Sequence, residues 1–459
     1  MMPLYDKVGI WGIFFESISE FENYSEDIDL KNKEIFINVD DLYVNHITLN
    51  GKFKDEIDII EKYLCPPLPF WIKSNNNFNK ILERDYYNIL PQTAEIITTM
   101  NCCFRCQQCS YRPAKEEMNI WNKSYFDFSN KFHMSPNTII EIIDKLDDIG
   151  TRNVVFTGGG EPLINSETTI SGMRLAKAKN MSVGLYTNGF NLNDKIIKEL
   201  EKINPLFIRI SIYGVDPMNF SKYTNANEEI FIQIINNIKK LINSKKMGNI
   251  QTKISLSFLV HPVLYPNTLN IGNFFDSLFT IEELRLISTI RFTPAVDYYE
   301  NRQHDKNFFE KIFEQIESLK KRYYDVVQVV PYIHRTIDIY NSKPYMECRG
   351  SGYYAEIAPN GDMYLCCEKL MNDNFLIGNI LNNSIEEIFN SQARLNLIEQ
   401  VNSDRCEFCP SLCKPHEINK QLANVDYFNM EQLKNWRNNL LECATNISFF
   451  PGRLNDFES

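Results

Sequence analysis

The sequence predicts an α/β fold built from six strand-and-helix units that follow one another through the middle of the chain. Short β-branched runs alternate there with longer segments whose apolar residues recur at helical spacing. This alternation is typical of parallel strands joined by right-handed crossovers. Apolar residues make up 44% of the chain and charged residues 23%, as in folded globular proteins. Six units form a partial barrel or a wound sheet, with functional residues at the carboxyl ends of the strands.

The expected elements can be placed along the chain in order. The strands are expected at residues 94–100, 153–159, 182–189, 207–214, 252–260 and 287–295. The clearest helices are expected at 138–150, which ends at Gly150, and at 228–242. Motifs that directly follow one of these strands are therefore candidates for the functional edge of the sheet.

The length of the chain predicts more than one compact unit. A single hydrophobic core stops growing well before 459 residues. Residues 1–92 are expected to form an N-terminal accessory region, and residues 93–340 the partial barrel. A small cysteine-bearing module with glycine and proline punctuation occupies 341–420, and 421–459 form a helical tail.

Charge and cysteine usage narrow the class of protein. A net charge of -11 does not favour non-specific attraction to nucleic acid. The first residues lack the basic start and cleavage site of a secretory signal, and no apolar stretch reaches transmembrane length. The 12 cysteines gather mostly in two clusters, which favours metal ligation in a reducing compartment over disulfides. We therefore expect a cytoplasmic protein with neither nucleic acid nor membrane as a partner.

The first cysteine cluster directly follows the first expected strand. Cys102, Cys106 and Cys109 have C-x3-C-x2-C spacing. Three thiolates can hold three irons of a 4Fe-4S cubane and leave the fourth iron open to an outside ligand. Zinc is the alternative, but it needs a fourth ligand nearby, and Cys103 cannot easily share a metal with its own neighbour.

The second motif is the run from Gly158 to Pro162, GGGEP, at the end of the second strand. Glycines there let the backbone approach a ligand closely, although the run alone could be a simple turn. Together with the cysteine loop it resembles the radical SAM superfamily, whose open iron is chelated by S-adenosylmethionine (SAM). The resemblance implies a partial (β/α)6 barrel of the radical SAM type. The residues that it assigns to SAM are Gly159, Gly160, Glu161, Pro162, Asn188 and Ser211.

Two residues depart from the family pattern. Gln108 stands where relatives usually have an aromatic residue before the third cysteine, and Tyr213 stands where many have Asp. The resemblance implies that one electron from the reduced cluster cleaves SAM, and that the resulting 5'-deoxyadenosyl radical abstracts a hydrogen atom from the substrate. It also implies a reductant of the flavodoxin or ferredoxin type as a partner.

The second cysteine cluster is similar to the auxiliary-cluster region called twitch or SPASM. The expected ligands are Cys348, Cys366, Cys406 and Cys409, and Cys413 could replace one of them. The run RCEFCPSLC is shorter than the long form of this region, so one auxiliary 4Fe-4S cluster is expected rather than two. A structural zinc at these four positions is the alternative, since a C-x2-C pair also suits zinc.

Cys367 is a candidate catalytic residue because it lies beside an expected ligand without being able to share its cluster readily. Epimerases of the superfamily use such a thiol to return a hydrogen atom to a substrate radical. Cys103 and Cys413 are further candidates for that role, and a packed thiol under the cluster is the alternative.

The resemblance favours a ribosomally synthesised precursor peptide as substrate, with epimerisation as the first expectation and crosslinking as the second. Within enzymes, the alternative is a radical SAM dehydrogenase or epimerase of a small-molecule sugar or aminocyclitol. From other classes, an iron-sulfur electron carrier and a zinc-stabilised interaction protein stay open.

Overall fold

The fold is given by a computed structural model. It describes residues 75–119, 127–265, 271–295, 306–331, 343, 345–403, 409, 413–416, 418–419, 422, 430–431 and 434, and five strands at 8–9, 12–15, 34–39, 42–48 and 447–449. The chain divides into two compact units, one formed by residues 1–89 with 415–459 and the other by residues 90–414.

The first unit contains a five-stranded sheet to which both ends of the chain contribute. Its strands are β1 (Val8–Gly9), β2 (Gly12–Phe15), β3 (Glu34–Val39), β4 (Leu42–Thr48) and, from the far end of the chain, β15 (Ile447–Phe449). They lie in the order β1-β2-β3-β4-β15. Helix α1 (Asn75–Leu82) follows β4 along the chain. Residues 421–459 thus contribute a strand to this sheet, and most of their expected helix lies outside the described residues.

The second unit is built on a ten-stranded sheet. Its strands are β5 (Thr93–Ile97), β6 (Asn153–Thr157), β7 (Ser182–Thr187), β8 (Phe207–Ile212), β9 (Lys253–Val260), β10 (Thr289–Pro294), β11 (Gln328–Pro331), β12 (Tyr354–Ile357), β13 (Asp362–Tyr364) and β14 (Leu376–Asn379). The spatial order is β11-β10-β9-β8-β7-β6-β5-β12-β13-β14. Strands β5 to β11 pair in parallel with their neighbours in chain order. All six expected strands are confirmed, and this parallel portion forms the expected partial barrel.

Helices connect the parallel strands. They are α2 (Arg112–Glu117), α3 (Pro136–Asp148), α4 (Ser166–Ala178), α5 (Asp194–Ile203), α6 (Pro217–Thr224), α7 (Glu228–Lys246), α8 (Ile271–Leu278), α9 (Ile281–Leu284) and α10 (Lys306–Arg322). The Ser135 side chain caps α3 by accepting a hydrogen bond from the Thr138 N–H, and Gly150 ends it at φ +76°. The two helices expected most clearly are confirmed as α3 and α7. None of the described helices has the length and apolar character needed to cross a lipid bilayer.

The two faces of the barrel sheet can be told apart from its packing. A Cβ on Gly172 of α4 would lie 2.7 Å from the ring of Phe156 and 2.6 Å from Ile139 of α3, so Phe156 faces the helices. Side chains alternate along a strand, so Val155 and its register partner Glu95 project from the opposite, inner face. The helix-facing side is the apolar core of the unit.

The inner face is polar. One in-register row across four neighbouring strands consists of Arg209, Ser255, Thr289 and Gln328, all of them buried. The next row towards the carboxyl ends consists of Ser211, Ser257 and Arg291. The arginines, hydroxyls and amide of these rows give the inner face a polar, hydrogen-bonding character.

The cysteine-bearing segment continues the barrel sheet. Strand β12 pairs in parallel with β5, which brings Glu356 opposite Glu95, and then pairs antiparallel with β13. Two helices, α11 (Ile385–Phe389) and α12 (Gln392–Ser403), follow β14. The module at the end of the parallel sheet is therefore fixed to the first barrel strand by backbone hydrogen bonds.

Candidate active site

The cysteine loop leaves the carboxyl end of β5 and is held on two sides. On one side, Thr99 and Asn101 accept hydrogen bonds of 3.1 and 2.8 Å from the backbone N–H groups of Gly160 and Glu161. On the other side, the Arg105 N–H donates to the carbonyl of Thr224 at the end of α6, at 2.8 Å. The loop is therefore fixed between the second strand end and a helix that follows the fourth strand.

The three cysteines of this loop act on one another electrostatically. Burial, and then the neighbouring Cys102 and Cys109, raise the pKa of Cys106 well above its ordinary value. Cys102 and Cys109 act on Cys106 through space, so the loop brings the three thiols into one group.

Two neighbours stabilise the thiolate forms. The Cys103 thiol donates to Cys102 and lowers the pKa of Cys102 to about 6, against the opposing effect of burial. The ammonium of Lys115 donates to the Cys109 sulfur at 3.0 Å. Burial alone would lower the pKa of Lys115, but the thiolates of Cys109, Cys102 and Cys106 outweigh it and the pKa is raised. The loop therefore carries a buried positive charge beside its sulfurs.

Aromatic rings cover the loop from the side of the fourth strand. The ring of Phe104 packs edge-on against Tyr213 and Phe220, with centroids 6.0 and 5.4 Å apart. Tyr213 hydrogen-bonds Cys106 and lowers the pKa of that thiol, although burial dominates. Tyr213, one of the two residues that depart from the family pattern, thus contacts the expected cluster ligand Cys106.

The GGGEP run lies against the cysteine loop, where its glycines have little space. A Cβ on Gly160 would lie 2.0 Å from the backbone oxygen of Asn101, so no larger residue fits without moving the backbone. A Cβ on Gly159 would meet the side chain of Met100 and lie 3.3 Å from Leu370. Leu370 follows β13, so the cysteine-bearing module reaches the GGGEP run.

Glu161 is buried and its carboxylate is occupied by the protein. It accepts hydrogen bonds from the Leu163 N–H at 3.1 Å, the Thr187 hydroxyl at 2.6 Å and the Asn188 N–H at 2.7 Å. Burial nevertheless raises the pKa of Glu161 to about 7. Pro162 begins the turn that this carboxylate caps. The acid therefore fixes the ends of two neighbouring strands relative to each other.

Asn188 and Ser211 lie at the next two strand ends. The Asn188 side chain accepts a hydrogen bond of 3.0 Å from the Phe190 N–H and donates one of 3.5 Å to the Cys103 sulfur. Ser211 is half-buried in β8, on the inner face. The structure thus brings Asn188 to the cysteine loop, while it places Ser211 one strand further along the same edge.

The second cysteine cluster is also assembled. Loss of hydration raises the pKa of Cys366 well above its ordinary value, and Cys409, Cys348 and Cys413 raise it further. Burial likewise raises the pKa of Cys413, where Lys343 acts in the opposite direction. The structure therefore brings these four sulfurs together. Cys406, which the sequence pattern favours over Cys413, lies outside the described residues.

Cys367 is buried beside two carboxylates on the inner face of the sheet. Its sulfur and the carboxylates of Glu95 and Glu356 lie within 4.8 Å of one another. Lys414 forms an ion pair with Glu95 and lies 3.8 Å from Glu356. The ammonium balances part of the acidic charge there, so a bound metal ion is not required to explain this group.

Several of these residues escape sequence reasoning. Lys115 lies in the charged run RPAKEE, whose local pattern is that of an exposed helix. Glu95 carries a usable signal, because an acid within a buried parallel strand is unusual. Glu356 and Lys414 become neighbours of Glu95 only through the pairing of β5 with β12.

Comparison with known proteins gives two family matches. Residues 96–251 match the radical SAM superfamily, and residues 348–414 match the iron-sulfur cluster-binding domain called SPASM.

In sequence, the chain resembles two proteins of Methanocaldococcus jannaschii. It is 32% identical over 103 residues to the uncharacterized protein MJ0804, a match that spans 22% of this chain and 35% of that protein. It is 27% identical over 210 residues to MJ1227, spanning 45% of this chain and 82% of that protein. MJ1227 is provisionally named a glycyl-radical enzyme activating enzyme.

In structure, the chain is similar to SuiB of Streptococcus suis. The SuiB structure with bound S-adenosylmethionine has a TM-score of 0.50 at 14% identity, covering 70% of this chain and 69% of SuiB. The structure with the precursor peptide SuiA has a TM-score of 0.51 at 14% identity, covering 75% and 78%. This likeness supports a shared fold.

Proposed function

The chain carries a radical SAM domain and a C-terminal SPASM iron-sulfur domain, and from this premise we propose that it modifies a ribosomally synthesised peptide. It is a radical SAM enzyme, and the two domains imply 4Fe-4S clusters and SAM as cofactors. The reaction that we propose is epimerisation at the Cα of one peptide residue.

The residues of the cysteine loop fit the SAM-binding cluster. We assign Cys102, Cys106 and Cys109 to three of its irons, which leaves the fourth to SAM. When bound, the cluster and SAM supply a 5'-deoxyadenosyl radical that abstracts a hydrogen atom from the substrate. Lys115 and Tyr213 bind two of the ligand sulfurs, and the Phe104 ring excludes water from their side of the loop.

The residues proposed for SAM line the neighbouring strand ends. Gly159, Gly160, Glu161 and Pro162 form the surface next to the cysteine loop. The Glu161 carboxylate already accepts three hydrogen bonds, so the backbone of this run is the part that we assign to the methionine group. Asn188 and Ser211, at the next two strands, are assigned to the ribose and carboxylate.

For the auxiliary cluster we propose Cys348, Cys366, Cys409 and Cys413 as ligands. Their mutual electrostatic effects support this set. Cys413 takes the place that the sequence pattern gives to Cys406, and Cys406, which lies outside the described residues, is the alternative fourth ligand. The Asn402 side chain accepts a hydrogen bond of 2.8 Å from the Cys348 N–H and fixes the first of these ligands.

The observation that carries the epimerisation proposal is the position of Cys367. Its sulfur lies on the inner face of the sheet with Glu95 and Glu356. Three residues further on, Leu370 contacts the position of Gly159 in the proposed SAM surface. The thiol therefore belongs to a segment that carries a proposed auxiliary-cluster ligand, Cys366, and that reaches the proposed SAM surface.

Hydrogen abstraction from Cα gives 5'-deoxyadenosine and a carbon radical, and the S–H bond of Cys367 then breaks to return a hydrogen atom from the opposite side. The thiyl group left behind takes one electron, which originates from a flavodoxin- or ferredoxin-type donor, and one proton. The proton comes from solvent, and the Glu368 carboxylate, which accepts a hydrogen bond of 3.6 Å from the Cys367 thiol, is placed to pass it to the sulfur.

Two further points support the choice of substrate and setting. SuiB, which shares the fold, has been crystallised with its precursor peptide, so this substrate class is the first to test. The polar inner face suits peptide carbonyl and amide groups. Because clustered thiolates need a reducing compartment, we also propose a cytoplasmic location.

The test uses the anaerobically reconstituted enzyme, SAM, dithionite and synthetic versions of short peptides encoded beside its gene, in deuterated water. Mass spectrometry follows the peptide, and chromatography follows 5'-deoxyadenosine. The expected result is one solvent deuterium at a single residue that chiral analysis identifies as the D form.

Three other outcomes of this experiment would contradict parts of the proposal. A peptide lighter by two mass units would replace epimerisation by crosslinking or dehydrogenation. Formation of 5'-deoxyadenosine with no change in any peptide would count against a peptide substrate. Absence of 5'-deoxyadenosine from cluster-loaded enzyme would overturn SAM cleavage itself and favour an electron carrier.

A second candidate function is dehydrogenation or epimerisation of a small sugar or aminocyclitol. The buried charges of the inner face, Arg209 and Arg291 with Glu95 and Glu356, favour it. Such charges suit a compact substrate with several hydroxyl or amino groups. The same assay with aminocyclitols in place of peptides separates the two candidates.

A further inference from the structure

A buried lysine contacts the cysteine loop. Helix α2 begins three residues after Cys109, and its fourth residue, Lys115, is 5% exposed. Its ammonium donates to the Cys109 sulfur at 3.0 Å. The next residues along the helix, Glu116 and Glu117, are exposed. The helix therefore directs one of its charged residues inward, towards the sulfurs.

The buried ammonium of Lys115 has lost its hydration and must interact with charged or polar groups of the protein. A buried charge is stable only when it is paired and hydrogen-bonded. Within the described residues, the side chain of Lys115 has Cys109 as its hydrogen-bond partner and makes no ion pair with a carboxylate. Its electrostatic partners are the sulfurs of Cys109, Cys102 and Cys106. The ammonium is thus paired with the three-cysteine group as a whole.

We propose that Lys115 is a positioning residue that raises the reduction potential of the SAM-binding cluster. Reduction adds one electron, and hence one negative charge, to the cluster and its thiolates. A nearby buried cation that donates to a ligand sulfur stabilises the reduced form more than the oxidised form. The inference rests on the radical SAM cluster of the proposed function and is independent of the substrate.

The second cluster region has a cation of its own. Arg394 is 1% exposed, and burial lowers its pKa to about 10. Cys348 acts in the opposite direction and raises that pKa, so the guanidinium interacts with an expected ligand of the second cluster. Removing Lys115 should therefore leave the auxiliary cluster unchanged. That cluster is an internal reference in the same protein.

The experiment compares the wild type with Lys115→Met, Lys115→Gln and Lys115→Arg, each reconstituted anaerobically and checked for iron and sulfide. Redox titration monitored by electron paramagnetic resonance gives both potentials, and the signal that changes when SAM is added identifies the SAM-binding cluster. Arg112→Met is the matched control. It removes a cation from the same helix, but Arg112 is half-exposed and paired with Glu116, so solvent screens it.

We expect Lys115→Met to lower the equilibrium constant for reduction of the SAM-binding cluster about tenfold, a shift of about 59 mV to more negative potential for a one-electron couple. Lys115→Gln keeps a donor without the charge and should shift the potential in the same direction. Lys115→Arg should restore most of the wild-type value. Arg112→Met and the auxiliary cluster should not shift.

An unchanged potential in either neutral variant with full cluster content would overturn the inference. If Lys115→Met fails to hold the cluster, the comparison is made on Lys115→Gln, and an equal shift of both clusters there would also overturn it. A wild type in which SAM alters no cluster signal would instead contradict the radical SAM assignment, so the two failures are distinguishable.

Discussion

The carboxylate of Glu161 accepts a 2.7 Å hydrogen bond from the backbone N–H of Asn188. This bond joins the ends of β6 and β7, and the Thr187 hydroxyl reinforces it at 2.6 Å. An acid of the GGGEP run therefore organises the protein itself at the point where the proposed SAM surface turns from one strand to the next.

The raised pKa of Glu161 predicts a pH-dependent stability. Burial lifts the pKa to about 7 in the folded chain, from 4.5 in an unfolded one. The folded state then binds the proton more tightly, so this contribution to the free energy of unfolding is complete below about pH 4.5 and is lost as pH rises through about 7. The shift corresponds to about 3 kcal/mol.

Urea unfolding of the cofactor-free chain between about pH 5 and 8 measures this term. The Glu161→Gln variant lacks the titrating group, so the difference between the two stability curves should change across that range. Other titrating groups are common to both chains and cancel. Parallel curves would show that Glu161 ionises normally in the folded protein.

The sequence predicts the barrel well because its pattern is local. Strands β5 to β10 are buried runs separated by amphipathic helices, and each begins within two residues of its expected position. The seventh parallel strand, β11, has four residues, too few for a periodicity that would distinguish it from a helix segment. The pairing of β12 with β5 joins residues far apart in the chain and leaves no local pattern.

Some residues of the candidate site could likewise be predicted from the sequence, and others could not. Cys102, Cys106 and Cys109 follow from their spacing, whereas Lys115 becomes visible only once α2 is seen to turn it inward. A polar residue at a buried strand position, such as Glu95, is the one signal in the sequence that could direct attention to the inner face.

The glycines of the GGGEP run should differ in their tolerance of a methyl group. A Cβ on Gly160 would lie 2.0 Å from the backbone oxygen of Asn101, which cannot move without shifting the cysteine loop. We expect Gly160→Ala to weaken SAM binding at least about tenfold, since correct positioning of this loop is required. Equilibrium binding of SAM to the reconstituted enzyme is the measurement.

Gly159→Ala is the matched control. Its Cβ would meet the end of the flexible Met100 side chain, which is buried and can give way at an overpacking cost of about 1–3 kcal/mol. SAM affinity should therefore fall less than in Gly160→Ala. Equal losses in both variants would mean that the close approach to Asn101 does not determine the shape of the site.

Cys413 should be a ligand of the auxiliary cluster. Its sulfur acts electrostatically with Cys409, Cys348 and Cys366 in a buried site. Replacing it by Ala removes one of four thiolates, so we expect loss of about four of the roughly eight iron atoms per chain. Iron and sulfide analysis with Mössbauer spectroscopy measures this, and SAM should still perturb the remaining cluster.

Cys406→Ala is the comparison that decides between the two candidate ligands. If Cys413 is the ligand, the Cys406 variant keeps its full iron content. The reverse pattern, with iron lost from the Cys406 variant and kept in the Cys413 variant, would restore the ligand set that the sequence spacing favours.

Cys367 should separate the two halves of the proposed reaction. Its sulfur lies beside Glu95 and Glu356 and is absent from the proposed ligand sets, so replacing it should leave both clusters intact. Cys367→Ser keeps the size of the side chain, but its O–H bond is too strong to give up a hydrogen atom to a carbon radical. With a peptide substrate, 5'-deoxyadenosine should still form, because hydrogen abstraction precedes the missing step. The yield of the D-residue should fall at least about tenfold.

Chiral amino-acid analysis of the hydrolysed peptide measures the yield of the D-residue, and Cys367→Ala should give the same result as Cys367→Ser. A D-residue yield equal to that of the wild type would assign the hydrogen atom to another donor, and Cys103, which donates to Cys102 in the cysteine loop, would be the next thiol to replace.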